Sequence, residues 1–229
     1  MRQVSCPVCQ TAPTFSPNPQ SLCACATCGV RWTFLHEDIR WEDLYRDEVY
    51  AVVDNRDSIF EKIIFSEARK VLGKAKSIVP NAKRLLDFGS GKGQFLAVAK
   101  VLGWDGLGIE TEAQRAHFAR EIYGVHVLSD LYSQGKIKSG EYDLITLNHV
   151  LEHLPNPMNL LQELLQQNLA PGGAIYLEVP RADSWQAKIA GPNWMHWDIP
   201  KHLTHWNCLT LEAELKKIGV SVIAKRGFS

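Results

Sequence analysis

The sequence predicts an α/β fold: a mostly parallel sheet with helices on both faces, preceded by a small metal-bound ribbon. Three observations predict it. Residues 84–103, RLLDFGSGKGQFLAVAKVLG, run strand, glycine turn, helix. YDLITLN (142–148) is a short buried-strand pattern, and MNLLQELLQQNL (158–169) after it has helical spacing. Strands alternating with helices in this way build parallel sheets. At the N-terminus, Cys6, Cys9, Cys25 and Cys28 make C-x2-C, fifteen residues, C-x2-C.

The cysteine spacing fits a four-thiolate zinc site, because each C-x-x-C turn points two sulfurs at one place and two turns complete a tetrahedron. Five of the six cysteines lie in the first 28 residues. No apolar core of a secretory signal precedes them, so disulfides are disfavoured and a cytoplasmic protein is expected. Four protein ligands leave no place for water, so the zinc is structural. Cys23, two residues before Cys25, is an alternative ligand. The ribbon is expected over residues 1–35, too few to fold without the metal.

A helical junction is expected over 36–80. EDLYRDEVYAVV gives one helix, and SIFEKIIFSEARKVLGKA a second at about 57–74, ending near Gly73. An acidic block at 37–61 and a basic block at 69–84 read as solvated helix faces. The remaining domain is expected over 81–229.

The turn Gly89-Ser90-Gly91-Lys92-Gly93 opens a helix, where free N–H groups and missing side chains let a ligand approach the backbone. It is neither the dinucleotide form G-x-G-x-x-G nor the phosphate loop, since Gly93 follows Lys92. Asp87, ending the strand, would repel a pyrophosphate and suits a cationic amino-acid ligand. L-D-F-G-S-G-K-G resembles the first motif of class I S-adenosylmethionine-dependent methyltransferases, whose sheet is Rossmann-like. GLGIE (106–110) resembles that family's second strand, GVHVLSDL (124–131) its third, YDLITLNHVLEHL (142–154) its fourth, and APGGAIYLEVP (170–180) its fifth. The resemblance covers about 84–225. It implies S-adenosylmethionine held by Asp87 at its amino group and by Glu110, with Thr111 beside it, at the ribose. The turn residues Gly89, Ser90, Gly91 and Gly93 lie along it, Asp130 and Leu131 at the adenine, Asn148 and His149 near the methyl group.

His149-x-x-Glu152-His153 has the written form of an inverted zinc-protease motif. Such a site needs both histidines on one rigid helix. Here a buried strand precedes them and Pro155 and Pro157 follow, so HVLEH is a short connection at the carboxyl end of a parallel strand, where ligands of such sheets bind. Ubiquinone-type O-methyltransferases carry acid-x-x-Glu-His at the matching place and use a divalent ion. Here His149 stands for the first acid, and a metal at His149, Glu152 and His153 is the alternative reading.

Residues 181–206 hold four of the seven tryptophans and three of the eight histidines. They form either a packed cap or a cover over the acceptor, and aromatic walls with a few polar groups favour the second. A helix is expected at 209–219 and a sixth strand at 220–228. The family sheet ends in two further strands, and only one fits before Ser229, so the chain is expected to be truncated or to lack the reversed strand.

A sulfonium methyl is already electrophilic, and an acceptor hydroxyl of high pKa also needs a base. His149, His153 and His202 are the candidates, His149 favoured by its place after the fourth strand. The resemblance to zinc-ribbon methyltransferases implies a small-molecule acceptor, a sugar, nucleotide-sugar or surface-glycan hydroxyl, or an activated carbon. RNA methylation and a non-catalytic, cofactor-binding partner subunit are the competing classes. A formal net charge of zero argues against a nucleic-acid partner and gives no field toward an anionic membrane. No apolar run reaches the length of a membrane span.

Overall fold

The computed structural model describes residues 3–13, 22–35, 54, 56–129 and 141–227. In chain order its elements are β1 (Leu22–Ala24), β2 (Arg31–Thr33), α1 (Ile59–Ile78), β3 (Arg84–Phe88), α2 (Gln94–Val101) and β4 (Asp105–Ile109). Then come α3 (Ala113–Tyr123), β5 (His126–Leu128), β6 (Tyr142–Asn148), α4 (Pro157–Glu163) and β7 (Leu169–Glu178). The last are α5 (Trp185–Ala190), β8 (Thr204–His205) and α6 (Cys208–Lys217). The chain divides into two compact units. One gathers residues 1–46, 151–162 and 179–229, and the other 47–150 and 163–178. The first junction helix expected from the sequence, in EDLYRDEVYAVV, lies outside the described residues.

The second unit is the expected sheet. Five parallel strands stand in the order β5-β4-β3-β6-β7, with the first strand of the set in the middle. The order reverses between β3 and β6, and the crevice outside the carboxyl ends of strands at such a reversal is where open α/β sheets bind ligands. The core is Leu85, Leu96, Val98, Trp104, Val127 and Leu144 with small residues from α1 and α3. Helix α1 starts at Ser58, whose hydroxyl accepts the Glu61 N–H at 3.1 Å, while the Glu61 carboxylate reaches back to the Asp57 N–H at 2.7 Å. This reciprocal arrangement resembles a capping box. The helix runs through Gly73 to Ile78, five residues beyond the glycine expected to end it. Ala68, Val71, Leu72 and Ala75 keep a continuous buried stripe. Pro80 then disfavours helical backbone at Val79.

The sixth strand expected at 220–228 does not form. Residues 220–227 have no strand and are exposed almost throughout. Two of the apolar residues behind that expectation, Val222 and Ile223, lie on the surface.

The other unit is built around the cysteines. Strands β1 and β2 pair antiparallel, and β8 adds to β2 through Arg31–His205 and Trp32–Thr204. A strand from the tryptophan-rich segment therefore completes the ribbon's sheet. Thr33 ties them further: its N–H donates to the Leu203 carbonyl at 3.0 Å and its hydroxyl to the His202 carbonyl at 2.6 Å.

The turn glycines differ in what surrounds them. A Cβ on Gly93 would lie 2.7 Å from the Ala119 Cβ and 2.9 Å from Val125 Cγ2, at a φ of +79°. One on Gly73 meets nothing within 4 Å, in ordinary helical backbone. Gly93→Ala is expected to lower folding stability by about 2–4 kcal/mol, from left-handed strain plus overpacking. Gly73→Ala is expected to raise it by about 0.5–1 kcal/mol. Urea unfolding of both variants checks the pair.

Candidate active site

The glycine turn and its acids all belong to the parallel-sheet unit. Gly89, Gly91 and Gly93 each have positive φ, at 72°, 55° and 79°. The Gly89 and Ser90 N–H groups donate to the Ile109 carbonyl at 2.8 and 2.9 Å, which fastens the turn to the end of β4. A Cβ on Gly89 would strike the Val150 side chain at 2.4 Å, so this glycine serves packing. One on Gly91 meets nothing within 4 Å. Gly91 is the glycine that leaves open space in front of the backbone.

Glu110 follows β4 and is 7% exposed. One carboxylate oxygen accepts the Gly91 N–H at 2.7 Å and the other accepts the Glu112 N–H at 2.9 Å. Each oxygen keeps a second lone pair. Asp87 is 1% exposed. The Thr146 hydroxyl donates to it at 2.6 Å and the Asn148 amide at 3.4 Å. Burial pushes the Asp87 carboxyl up to about 7, with the Glu110 carboxylate adding to the rise; the bonds from Thr146 and Asn148 pull the other way. An acid whose ionisation is disfavoured in a buried cradle, with a second carboxylate nearby, is arranged to take a cation, which would favour its ionised form. The donor set and the open Gly91 thus fit the amino-acid and ribose ends of S-adenosylmethionine. Ser90, 8% exposed, leaves its hydroxyl without a hydrogen-bond partner beside the turn. Thr111 is exposed. Asp130 and Leu131 lie outside the described residues.

Asn148 ends β6, and His149 follows with a positive φ of 53°. Its N–H donates to the Glu178 carbonyl at 2.9 Å, and its Nε2 stands 3.6 Å from Glu178 Oε1. The Tyr176 hydroxyl donates to the other Glu178 oxygen at 2.7 Å. The His149 side chain is 52% exposed. Sequence reasoning did not single out Glu178, Tyr176 or Thr146. Thr146, a polar residue inside the apolar run YDLITLN, was the available signal.

His153 and His202 belong to the ribbon unit. The His153 Nδ1 lies 3.1 Å from the Lys201 carbonyl and the His202 Nδ1 2.8 Å from the His196 carbonyl. A carbonyl oxygen only accepts, so both Nδ1 atoms carry a proton, and in the neutral ring each Nε2 is the electron-pair donor. Their rings meet edge to face at 4.6 Å. Burial pushes the His153 imidazole below its ordinary range, against the pull of Glu152. Glu152, His153 and His202 each bring one ligand atom within 4.8 Å of the others. Among the described residues, the histidine group whose ligand atoms meet closely enough for an ion is Glu152, His153 and His202; the sequence had put His149 in place of His202. His202 was out of reach of a local motif because it lies 49 residues beyond His153 in the chain.

Cys6, Cys9, Cys25 and Cys28 also lie with their sulfurs within 4.8 Å of one another. The pairs Cys6–Cys28 and Cys9–Cys25 are 3.6 and 3.3 Å apart. A tetrahedral zinc with bonds near 2.3 Å needs sulfurs about 3.8 Å apart. The two knuckles match: Gln10 donates its N–H to the Cys6 carbonyl at 2.8 Å and Gly29 its N–H to Cys25 at 2.9 Å, both at positive φ. Burial pushes the Cys6 thiol up to about 12 and Cys28 upward as well. At Cys25 burial opposes ionisation, but hydrogen bonds from the Cys28 and Thr27 amides and the Cys9 thiol outweigh it and hold the group at about 6. Cys23 is outside the quartet, buried and facing a cavity.

Comparison with known proteins gives the family. A model described as a methyltransferase domain matches residues 59–225. The chain belongs to that family. Among solved structures, an S-adenosylmethionine-dependent methyltransferase from Archaeoglobus fulgidus is 22% identical, with a TM-score of 0.58 over 69% of this chain and 68% of that one. The plantazolicin methyltransferase BpumL, solved in complex with SAH, is 19% identical with a TM-score of 0.56, covering 77% of this chain and 72% of its own. These likenesses show a shared fold. A ubiquinone biosynthesis O-methyltransferase from Pectobacterium atrosepticum is 24% identical over 127 residues. The chain spans about half the length of that curated relative. The methyltransferase fold expected from the glycine turn and the ordered strands is therefore present, and the enzyme class of the family is S-adenosylmethionine-dependent methyl transfer.

The state of Asp87 sets a pH dependence of stability. Its folded pKa of about 7 is above the ordinary 3.8. The protein therefore loses stability as pH rises from about 4 through 7, and the loss is complete above that. Asp87→Asn is expected to leave stability at pH 4 nearly unchanged and to raise it at pH 8 by up to about 4 kcal/mol. Denaturant titrations of the cofactor-free protein at both pH values check the sign.

Proposed function

We propose that the chain transfers a methyl group from S-adenosylmethionine to a hydroxyl of a small acceptor, of the sugar, nucleotide-sugar or surface-glycan kind, with His149 as the base. The observation that carries this reading is the His149–Glu178 pair, 3.6 Å apart at the carboxyl ends of β6 and β7. That edge also carries Asp87 and the glycine turn. The same chemistry on an activated carbon would use the same base.

When bound, S-adenosylmethionine supplies a methyl on a positively charged sulfur. Asp87, ionised, takes the amino group, and the carboxylate of Glu110 takes the ribose hydroxyls through its remaining lone pairs. The open face of Gly91 lets the backbone come close. His149 receives the acceptor's proton at a ring nitrogen, and the Glu178 carboxylate, oriented by the Tyr176 hydroxyl, stabilises the imidazolium that results. A half-exposed imidazole is able to reach an incoming hydroxyl.

A second reading is favoured by one observation, the spacing of Glu152, His153 and His202. A divalent ion there would have two neutral imidazoles whose other nitrogens are fixed on backbone carbonyls, the usual support of metal-binding histidines. It would lower the pKa of a coordinated hydroxyl without a protein base.

His149→Ala is expected to lower kcat by about a hundredfold with the affinity for S-adenosylmethionine unchanged, as for loss of a general base. Calorimetric titration and labelled methyl transfer to a nucleotide-sugar panel measure the two quantities, with total RNA as the competing acceptor. Full turnover in the variant, together with activity lost to a chelator and restored by magnesium, would establish the metal reading instead.

For the cysteine quartet we assign a structural zinc. Elemental analysis of the purified protein is expected to find one zinc per chain. A Cys6→Ser, Cys9→Ser double variant should lose it and unfold the ribbon. Equal zinc content in wild type and variant would remove the assignment.

A further inference from the structure

The ribbon unit contains a cavity lined by none of the cofactor residues and by none of His149, His153 and His202. Its volume is about 620 Å³. The ribbon side is lined by Arg31 of β2, and the other side by Asp183, Lys188 of α5, Trp197, His205 and Asn207. Neither C-x-x-C ribbons nor methyltransferase sheets require such a space. It exists because β8 is drawn into the ribbon's sheet, so that the 182–207 segment forms its far wall.

The charges of this cavity do not balance. Asp183 is committed to Arg181, whose guanidinium donates to both carboxylate oxygens at 3.2 Å. Arg31 and Lys188 form no ion pair among the described residues. His205 adds no charge. Burial holds its imidazole down to about 3, with His202 and Arg31 reinforcing the effect. Its Nε2 lies 2.9 Å from the Thr33 hydroxyl, whose own proton is given to the His202 carbonyl at 2.6 Å. The Thr33 oxygen must therefore accept from His205 Nε2–H, which fixes the neutral tautomer. Among the described residues, two cations thus face the pocket without an ion pair of their own.

The aromatic wall is equally fixed. The Trp197 indole N–H donates to the Gly191 carbonyl at 2.8 Å. Its ring is held edge to face between Trp194, at 5.1 Å, and His205, at 5.0 Å. A locked indole beside two uncommitted cations is the chemistry that recognises a flat ring or sugar face carrying anionic groups. The guanidinium fork of Arg31 matches a phosphate, and Lys188 supplies a point charge for a second. The volume is in the range of sites for ligands of this size.

We propose that this cavity binds a phosphorylated small molecule, its phosphates on Arg31 and Lys188 and its ring or sugar face on Trp197. On the methyltransferase reading, that molecule is the acceptor or the phosphorylated carrier of the acceptor. This last step rests on the proposed function, but binding itself does not. A positive surface for nucleic acid would need a longer cationic track, and the chain's formal net charge is zero.

The test uses the full-length, zinc-loaded protein and uridine diphosphate, chosen because it lacks the adenine of S-adenosylmethionine. Calorimetry is expected to give a micromolar Kd that weakens as sodium chloride is raised. Uridine should bind at least a hundredfold more weakly, and inorganic pyrophosphate at least tenfold more weakly. Arg31 and Lys188 are exposed, so Arg31→Gln and Lys188→Gln should fold normally, each costing about tenfold in Kd and the pair about a hundredfold. S-adenosylmethionine titrated into the same samples should be unaffected. No binding of uridine diphosphate, or binding unchanged in the double variant, overturns the proposal while cofactor binding stands. Pyrophosphate binding as tightly as uridine diphosphate would overturn the role of Trp197. Loss of cofactor binding in wild type would overturn the proposed function and leave the pocket's anion binding to be judged on its own titration.

Discussion

The hydrogen bond from the Gly91 amide to the Glu110 carboxylate, 2.7 Å long, holds together the edge of the sheet on which the candidate cofactor site depends. Three residues of positive φ within five positions make the 89–93 turn costly to fix. The turn is offset by bonds that cross from β3 to β4: two amides on the Ile109 carbonyl and one on Glu110. The same carboxylate that closes the turn keeps lone pairs for a ligand, so the fold and the site share one group. Asp87 shows the complementary constraint. It is held where a carboxylate is least comfortable, and the hydrogen bonds of Thr146 and Asn148 only partly offset its burial. A cation is what that position lacks, and a buried polar group left short of its partner is a common mark of a binding site.

The ribbon unit is held together differently. Around the four sulfurs the apolar packing is thin: Trp32, fully buried, with Val8 and Phe34. The cysteine ribbon by itself cannot offset its chain entropy with so little apolar burial, so the sulfur cluster and the β8 strand share the task. Thr33 is the joint. Its amide, its hydroxyl proton and its hydroxyl lone pair are each used on the 202–205 segment. Residues nearly 170 positions apart are thereby fixed to one another, and His202 and His205 take their positions from the ribbon's own strand.

How much of this was legible in the sequence depends on the range of the interactions. The glycine turn, the cysteine knuckles and the helix at 208–217 are decided by neighbours in the chain, and they appear where the pattern puts them. The end of α1 was misread at Gly73 because a glycine costs only about 1 kcal/mol in a helix, less than the buried stripe behind it returns. The strand expected at 220–228 failed because β-propensity describes a residue that fits a pleated, half-buried surface. Val222 and Ile223 find no such surface. Glu178, the β8 pairing and the grouping of His202 with Glu152 and His153 all need contacts between distant segments. A residue-by-residue reading of one chain carries no such signal.

Three histidines were candidates in the sequence, His149 favoured by its place after the fourth strand, and the environments of the three differ. His202 is buried and His153 partly so, each with one nitrogen fixed on a carbonyl, and burial pushes the His153 imidazole below its ordinary range. At His153 that suits a ligand to a metal and suits a proton acceptor poorly, since an acceptor must become a cation. His149 is half exposed and has a carboxylate 3.6 Å from its ring, so the imidazolium is both hydrated and paired. Its left-handed backbone carries it past the end of β6 and puts its amide on the Glu178 carbonyl, the residue whose side chain also faces its ring. Strain at a single non-glycine residue costs about 1–3 kcal/mol and persists only where the surroundings impose it. Here the imposed geometry positions one imidazole against one carboxylate at the end of β6, the arrangement that the proposed general base requires.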